Sequence, residues 1–190
     1  MNPGRNRTWI WMAAALAATF AWVALCATLT ISGGDPEPDP PNLEGSGPRA
    51  PADFNWTLLD LDEAPVEFAK FRGRPILLNL WATWCGPCLE EMPALARLAE
   101  NPRIKEKNVA VVCVSTDESA EVLRRFVQGK PWGMTILRAT SIPPGFQTSG
   151  IPATFLIDPE GRVVTAQVGA ARWDDPSVIA FLEKLAAPPP

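Results

Sequence analysis

The chain contains no histidine and no tyrosine among its 190 residues. Without histidine, catalysis by Cys–His or Ser–His pairs is excluded, and most zinc and copper sites lose their usual nitrogen ligand. Without tyrosine, no phenol can donate a proton. Proton transfer near neutral pH must therefore fall to a carboxylate, a thiol, a lysine or water.

Cysteine is also scarce, with four positions at Cys26, Cys85, Cys88 and Cys113. One close pair, Cys85 and Cys88, is too little for a disulfide framework or a four-ligand zinc site. Cys113 lies inside the apolar run VAVVCV, which predicts core packing; a third redox thiol would have to reach the surface. Cys26 is predicted to be a small apolar residue of a membrane helix, with lipid attachment as the weaker alternative.

Basic residues are outnumbered, since 17 Lys and Arg stand against 21 Asp and Glu, and the formal net charge is −4. Arg5 and Arg7 precede the first acid, so the rest of the chain is more acidic than the whole. An acidic body does not attract phosphate backbones, and nucleic acid is therefore not expected as a partner.

The longest apolar run covers residues 9–31 and holds no charge. Its length suits a transmembrane helix across a hydrocarbon core of ~30 Å. The two arginines before it favour a cytoplasmic N-terminus at residues 1–8 and an exported body. A cleaved signal peptide is the alternative, although the cleavage site around Cys26 is poor. Residues 32–51 are rich in proline and predict an extended linker, and residues 188–190 form a proline tail.

Residues 52–187 are predicted to form one α/β domain, a mixed central β-sheet flanked by helices. Apolar runs at 75–80 and 109–114 are typical of strands buried on both faces. The turn sequence at 158–161 joins two further strands in a hairpin placed at the sheet edge. Strands are predicted at 56–59, 65–68, 75–80, 109–114, 135–137, 153–157 and 162–168, and helices at 86–100, 119–128 (capped by Asp117) and from Asp174 or Asp175 to 186.

The sequence Cys85-Gly86-Pro87-Cys88 falls where the strand at 75–80 gives way to a helix. A helix N-terminus presents free N–H groups and a partial positive charge, which stabilise a thiolate. Cys85 is therefore expected to attack a substrate disulfide, and Cys88, one turn further, to resolve the mixed disulfide. Two cysteines at this spacing can also form half of a zinc site, but the other half is missing, so neither metal nor cofactor is expected.

Glu91 is the candidate base for Cys88, because residues three apart share a helix face. Met92, Leu95 and Leu98 lie along the same side, so Glu91 is expected to face apolar surroundings that raise its pKa. The alternative is an exposed acid favoured by the helix dipole. Glu90 points away and is expected to be solvated.

A second element is Gly150-Ile151-Pro152, which opens the predicted strand at 153–157. A cis Ile151–Pro152 bond would make a tight turn beside the cysteines, but from spacing alone the isomer stays open, since cis is ~5% of such bonds. The Ile151 backbone could pair there with an extended substrate segment.

The motifs WATWCGPC and GIPATFLIDPEGRVV together resemble the thioredoxin superfamily, and most closely its membrane-anchored TlpA/ResA-like branch. The resemblance covers about residues 52–187 and implies a thioredoxin-like fold in which a cis Ile151–Pro152 bond lies against the cysteines. It also implies a redox disulfide between Cys85 and Cys88. Asn79 stands where cytoplasmic thioredoxins carry an acid, and Glu91 takes over that role in this branch. Pro93 matches the helix-kinking proline, and residues 117–146 fall at the extra helical insertion.

The resemblance further implies an extracytoplasmic thiol–disulfide oxidoreductase that reduces exported proteins, apocytochrome c among them. A membrane thiol-electron transporter would supply its electrons, and a monomeric body is the default expectation. Gly86 and Pro87 match reducing thioredoxins, which favours a reductase. The substrate-binding residues expected on this basis are Trp84, Gly86, Pro87, Ile151 and Pro152.

Three other functions stay open. A disulfide-donating oxidase or isomerase would show a high reduction potential. A thiol peroxidase would need a threonine and an arginine around a lone cysteine, and Thr83 lies at the wrong spacing. A non-catalytic binding module would use the groove beside Pro152 and would not require Cys88.

Overall fold

The computed structural model describes residues 37–43 and 50–187. The predicted transmembrane helix at 9–31, the cytoplasmic N-terminus and the proline tail lie outside the described residues, as does most of the linker. None of the helices in the described part combines the length and the apolar character that crossing a bilayer requires. All contacts reported below lie within the unit Pro38–Pro190.

Within the described residues, eight strands form one sheet in the order β1-β8-β7-β4-β5-β6-β2-β3. The β4–β5 and β5–β6 pairs are parallel, whereas β7 runs antiparallel to both β4 and β8. The sheet is therefore mixed, as the sequence predicts. The strands are β1 (Ala50–Pro51), β2 (Thr57–Leu59), β3 (Pro65–Glu67), β4 (Ile76–Trp81), β5 (Ala110–Ser115), β6 (Thr135–Arg138), β7 (Ala153–Ile157) and β8 (Arg162–Val168).

Four α-helices in the described part accompany the sheet: α1 (Gly86–Glu100), α2 (Pro102–Glu106), α3 (Ala120–Val127) and α4 (Pro176–Leu185). Nearly all of their buried apolar residues belong to one core cluster, which also contains alternate residues of β4 and β5 such as Leu77 and Cys113. The opposite face of the sheet is covered by aromatic residues from outside the α-helices, among them Phe54, Trp56 and Phe146.

Every residue of β4, β5 and β7 is buried, which explains why these strands read as continuous apolar runs. The predicted bounds of α1, β7 and β8 are confirmed, and the last helix opens with Asp175 as its N-cap. The turn at 158–161 is confirmed as well: the Gly161 N–H donates to the Asp158 carbonyl, and Gly161 has a φ of 80°.

Two predictions about placement are wrong. The hairpin does not lie at the sheet edge. In the sheet, β7 is an interior strand, and the short strand β1 pairs with the outer side of β8. Asp117 does not cap α3; the Ser119 side chain accepts the Val122 N–H instead. The Asp117 carboxylate accepts hydrogen bonds from Thr83 and Ser115 instead. The short helix α2 and 3-10 turns at Phe68–Phe71 and Pro144–Phe146 were not predicted.

The segment that the sequence assigns to the linker contributes to the body at two places. Ala50 and Pro51 form β1, which pairs with β8. Further upstream, Pro41 is buried and Leu43 packs against the helical core cluster.

Candidate active site

The cysteine pair lies where β4 ends and α1 begins. Cys85 is the N-cap residue of α1, and its sulfur accepts the Cys88 backbone N–H at 3.3 Å. The two residues form a disulfide with an S–S distance of 2.07 Å. Cys85 is 6% exposed and Cys88 is fully buried, so the two sulfurs differ in their access to solvent. In the reduced state, the same N–H and the helix dipole would stabilise a Cys85 thiolate.

The surface beside the disulfide is formed by the turn before β7. The Ile151–Pro152 peptide bond is cis, and the Ile151 carbonyl oxygen lies 3.7 Å from the Cys85 sulfur. Trp84 is 71% exposed next to the disulfide. The structure therefore brings Trp84, Gly86 and Pro87 to one end of the sheet together with Ile151 and Pro152.

Glu91 is buried one turn beyond Cys88, with a relative exposure of 1%. Its carboxylate accepts the Asn79 amide N–H at 2.7 Å, the Ala171 backbone N–H at 3.1 Å and the Trp173 indole N–H at 2.9 Å. Burial raises the pKa of Glu91 from 4.5 to about 7, and the three hydrogen bonds, of which the one from Trp173 is largest, moderate that rise. The carboxyl group can thus exchange a proton near neutral pH.

Behind the carboxylate, Asn79 connects the site to the sheet. Its amide N–H groups donate to Glu91 and to the Thr154 hydroxyl at 2.9 Å, while its side-chain oxygen is buried without a partner. Because Asn79 cannot titrate, Glu91 holds the exchangeable proton of this network.

Cys113 is a core residue, as its apolar strand predicts. It is fully buried, and its thiol lies 3.5 Å from the Met134 sulfur. Burial, together with the charge on Glu91, raises the pKa of the Cys113 thiol far above its usual range. A buried thiol of this kind is unreactive.

Asp117 holds the chain two residues before the nucleophile. Its carboxylate accepts the Thr83 backbone N–H at 2.9 Å, the Thr83 hydroxyl at 2.7 Å and the Ser115 hydroxyl at 2.6 Å. The group is 4% exposed, so these donors replace water around it. The contact with Thr83 spans 34 residues of sequence, and no local pattern indicates it.

Trp173 and Ala171 were also missed by the sequence interpretation. They lie 82 and 80 residues from Glu91, in the connection between β8 and α4. An indole in a connecting segment gives no local signal of its partner. No group of three or more His, Cys, Asp or Glu within residues 37–43 and 50–187 is arranged to hold a metal ion.

Comparison with known proteins identifies the family. The Redoxin family matches residues 45–182, which is most of the described body. The chain belongs to the Redoxin family. Within the thioredoxin superfamily this Redoxin protein is ResA-like, and it is a thiol–disulfide oxidoreductase.

Two relatives and one solved structure illustrate the similarity of this Redoxin protein. The thiol-disulfide oxidoreductase ResA of Bacillus anthracis is 33% identical over 125 residues, covering 65% of this chain and 69% of the relative. ResA of Bacillus subtilis (strain 168) is 31% identical over 117 residues, covering 60% of this chain and 64% of the relative. A thiol:disulfide interchange protein from Bacteroides sp. superposes with a TM-score of 0.59 at 25% identity, covering 73% of this chain and 89% of that structure.

Proposed function

We propose that this Redoxin protein is an extracytoplasmic reductase of disulfides in exported proteins, of the type that serves cytochrome c maturation. The observation that carries the proposal is the position of Cys88: a fully buried sulfur on the same helix face as Glu91, a buried carboxyl group whose pKa of about 7 suits proton transfer. A resolving cysteine in such a place needs a local base, and Glu91 supplies one.

The reaction begins with the reduced protein. The Cys85 thiolate attacks one sulfur of the substrate disulfide, forms a mixed disulfide and releases the other substrate sulfur as a thiolate. Cys88 then passes its proton to the Glu91 carboxylate, and the Cys88 thiolate attacks the Cys85 sulfur. The second substrate sulfur leaves as a thiolate. The products are the Cys85–Cys88 disulfide, which the structure contains, and a substrate dithiol that takes up protons from Glu91 and water.

The substrate is proposed to bind over Trp84, Gly86 and Pro87 on one side and Ile151 and Pro152 on the other. Trp84 offers a large exposed apolar surface. The Ile151 carbonyl oxygen beside Cys85 can accept a backbone N–H from an extended substrate segment.

The cellular arrangement proposed here follows from the sequence. Residues 9–31 anchor the chain in the membrane, residues 1–8 stay in the cytoplasm, and the linker at 32–51 leads to the body at 52–187. A membrane thiol-electron transporter would reduce the Cys85–Cys88 disulfide after each turnover.

The reduction potential of the full chain, measured in detergent against dithiothreitol and glutathione buffers, tests the direction of electron flow. A value near ~−270 mV supports the reductase, whereas a value near ~−120 mV makes the protein a disulfide donor. Trapping tests the roles of the cysteines. Cys88→Ser should accumulate a mixed disulfide through Cys85, and the control Cys85→Ser/Cys88→Ser should trap nothing. A Cys88→Ser protein that turns over at the parent rate would refute the proposal.

A further inference from the structure

The connection between β8 and α4 presents hydrogen-bond donors on two sides. The Ala171 N–H and the Trp173 indole N–H donate inward to Glu91. The intervening Arg172 N–H donates instead to the Asp39 carbonyl oxygen at 2.9 Å. Residues 171–173, here called the donor loop, are therefore held by Glu91 on one side and by the segment upstream of the body on the other.

That upstream segment, residues 38–43, is here called the strap. Pro41 is buried, and Leu43 packs against the apolar cluster to which Ala171 and Trp173 belong. Asp39 and Pro40, by contrast, are exposed. A segment expected to be a free spacer thus has an apolar side turned to the body and a backbone hydrogen bond to the donor loop.

We propose that the strap positions the donor loop over Glu91, so that the segment leading from the membrane anchor takes part in tuning the proton acceptor of the redox site. The donor loop supplies two of the three hydrogen bonds to the Glu91 carboxylate, and Glu91 is only 1% exposed. Release of the strap would free the Arg172 N–H and allow water to approach Glu91. The catalytic significance of this arrangement rests on the proposed function of Glu91.

The groups around Glu91 leave its titration readable. Cys113 on β5 stays protonated because burial raises its pKa, and Cys88 does not titrate in the oxidised protein. In the connection itself, Asp174 is paired with Arg97, and Arg172 with Asp175. Since burial is the largest cause of the raised pKa of Glu91, hydration on release of the strap should lower it.

The test uses the oxidised full chain in detergent with two strap variants. Leu43→Asp places a charge against the apolar cluster, and Leu43→Ala is a milder change should the first disturb folding. Pro40→Ala is the matched control, because Pro40 is an exposed residue of the same segment. Two quantities are measured: amide hydrogen exchange at Arg172, and the titration midpoint of the Glu91 carboxyl carbon by NMR, assigned with Glu91→Gln.

The expected result is faster exchange at Arg172 and a Glu91 midpoint lowered by about one pH unit in both Leu43 variants. Pro40→Ala should match the parent. Faster exchange with an unchanged or raised midpoint would overturn the proposal, as would unchanged exchange in Leu43→Asp. The outcome is independent of catalysis: if Glu91→Gln resolved mixed disulfides at the parent rate, the proposed role of Glu91 would fall while this titration would still decide the role of the strap.

Discussion

Glu91 carries the strongest link between pH and function at the scale of single residues. Its pKa is raised to about 7 because the carboxyl group is buried, and the hydrogen bonds from Trp173, Ala171 and Asn79 stabilise the ionised form enough to keep the pKa near neutrality. A more apolar site would raise the pKa further, so that the carboxyl group would stay protonated at neutral pH. An exposed site would leave the pKa near its usual value, so that the group would already be ionised.

The free energy of unfolding should therefore fall as pH rises from about 4.5 to about 7. Glu91 titrates near 4.5 in the unfolded chain and near 7 in the folded protein, so the folded state binds the extra proton between these values. The resulting contribution, up to about 3 kcal/mol, is fully present below pH ~4.5 and is lost as pH rises through ~7. Glu91→Gln should remove this slope. Urea unfolding of the oxidised protein across pH 4–8 measures it, and parallel curves for parent and variant would contradict the raised pKa.

The titration of Glu91 should affect catalysis in the opposite direction: the rate should rise with pH, whereas stability falls. The ionised carboxylate is the base, so the rate of mixed-disulfide resolution should rise with pH through ~7 in the parent. Glu91→Gln should lower that rate by about 10²-fold and remove the inflection. Stopped-flow measurement of resolution, with Glu90→Gln as the control on the exposed neighbour, distinguishes loss of the base from a general change of helix charge.

The placement of Glu91 illustrates what local sequence can predict. Its burial follows from helical spacing with Cys88 and from the apolar residues beside it. The three donors to its carboxylate do not follow, because each comes from another element of the fold. Helical periodicity predicts the direction in which a side chain points, but it does not predict its hydrogen-bond partners from other elements.

At the scale of elements, the junctions before α1 and α3 are tied together by Asp117. Asp117→Ala would leave the Thr83 N–H and two hydroxyl groups without their acceptor, at an expected cost of about 3 kcal/mol in the free energy of unfolding. Ser119→Ala removes a single cap bond and should cost about 1 kcal/mol. Denaturant unfolding of both variants measures the difference. Equal losses would contradict a role of Asp117 in linking the two junctions.

The packing of the hairpin turn can be tested by comparing alanine substitutions at Gly161, in the turn, and at Gly73, outside it. Gly73 and Gly161 have φ values of 78° and 80°, but a Cβ on Gly73 meets open space while one on Gly161 would lie 3.0 Å from the Phe54 ring. Gly73→Ala should cost about 1 kcal/mol for the left-handed backbone alone. Gly161→Ala should cost more, because the turn and the aromatic face of the sheet must also separate. Equal unfolding free energies would contradict this account.

Element bounds were predicted well where burial is uniform, as in β7, and where a local start signal and an apolar run coincide, as in α1. The aromatic cover on the second face was not predicted. It depends on contacts such as the Trp56 indole N–H to the Ser141 carbonyl, which join segments 85 residues apart. Short 3-10 turns carry too few residues to show a period.

At the scale of the whole molecule, the proposed topology predicts where the thiols can be reached. After reduction, Cys85 of the full chain in intact bacterial cells should react with a membrane-impermeant maleimide. Cys113 should not react, because it is buried. Cys85→Ser is the control, and the protein should remain with the membrane after an alkaline wash. Labelling that requires lysed cells would contradict an extracytoplasmic body.

The hydrogen bond between Trp173 and Glu91 has an optical consequence. An indole whose N–H faces a carboxylate experiences a different local field from one that faces a neutral carboxylic acid, and the emission of indole is sensitive to that field. Because the chain contains no tyrosine, its ultraviolet fluorescence arises from tryptophan with no phenolic background. The emission of Trp173, one of eight tryptophans in the chain, should therefore change as Glu91 gains or loses its proton, so part of the tryptophan fluorescence should follow the titration of Glu91.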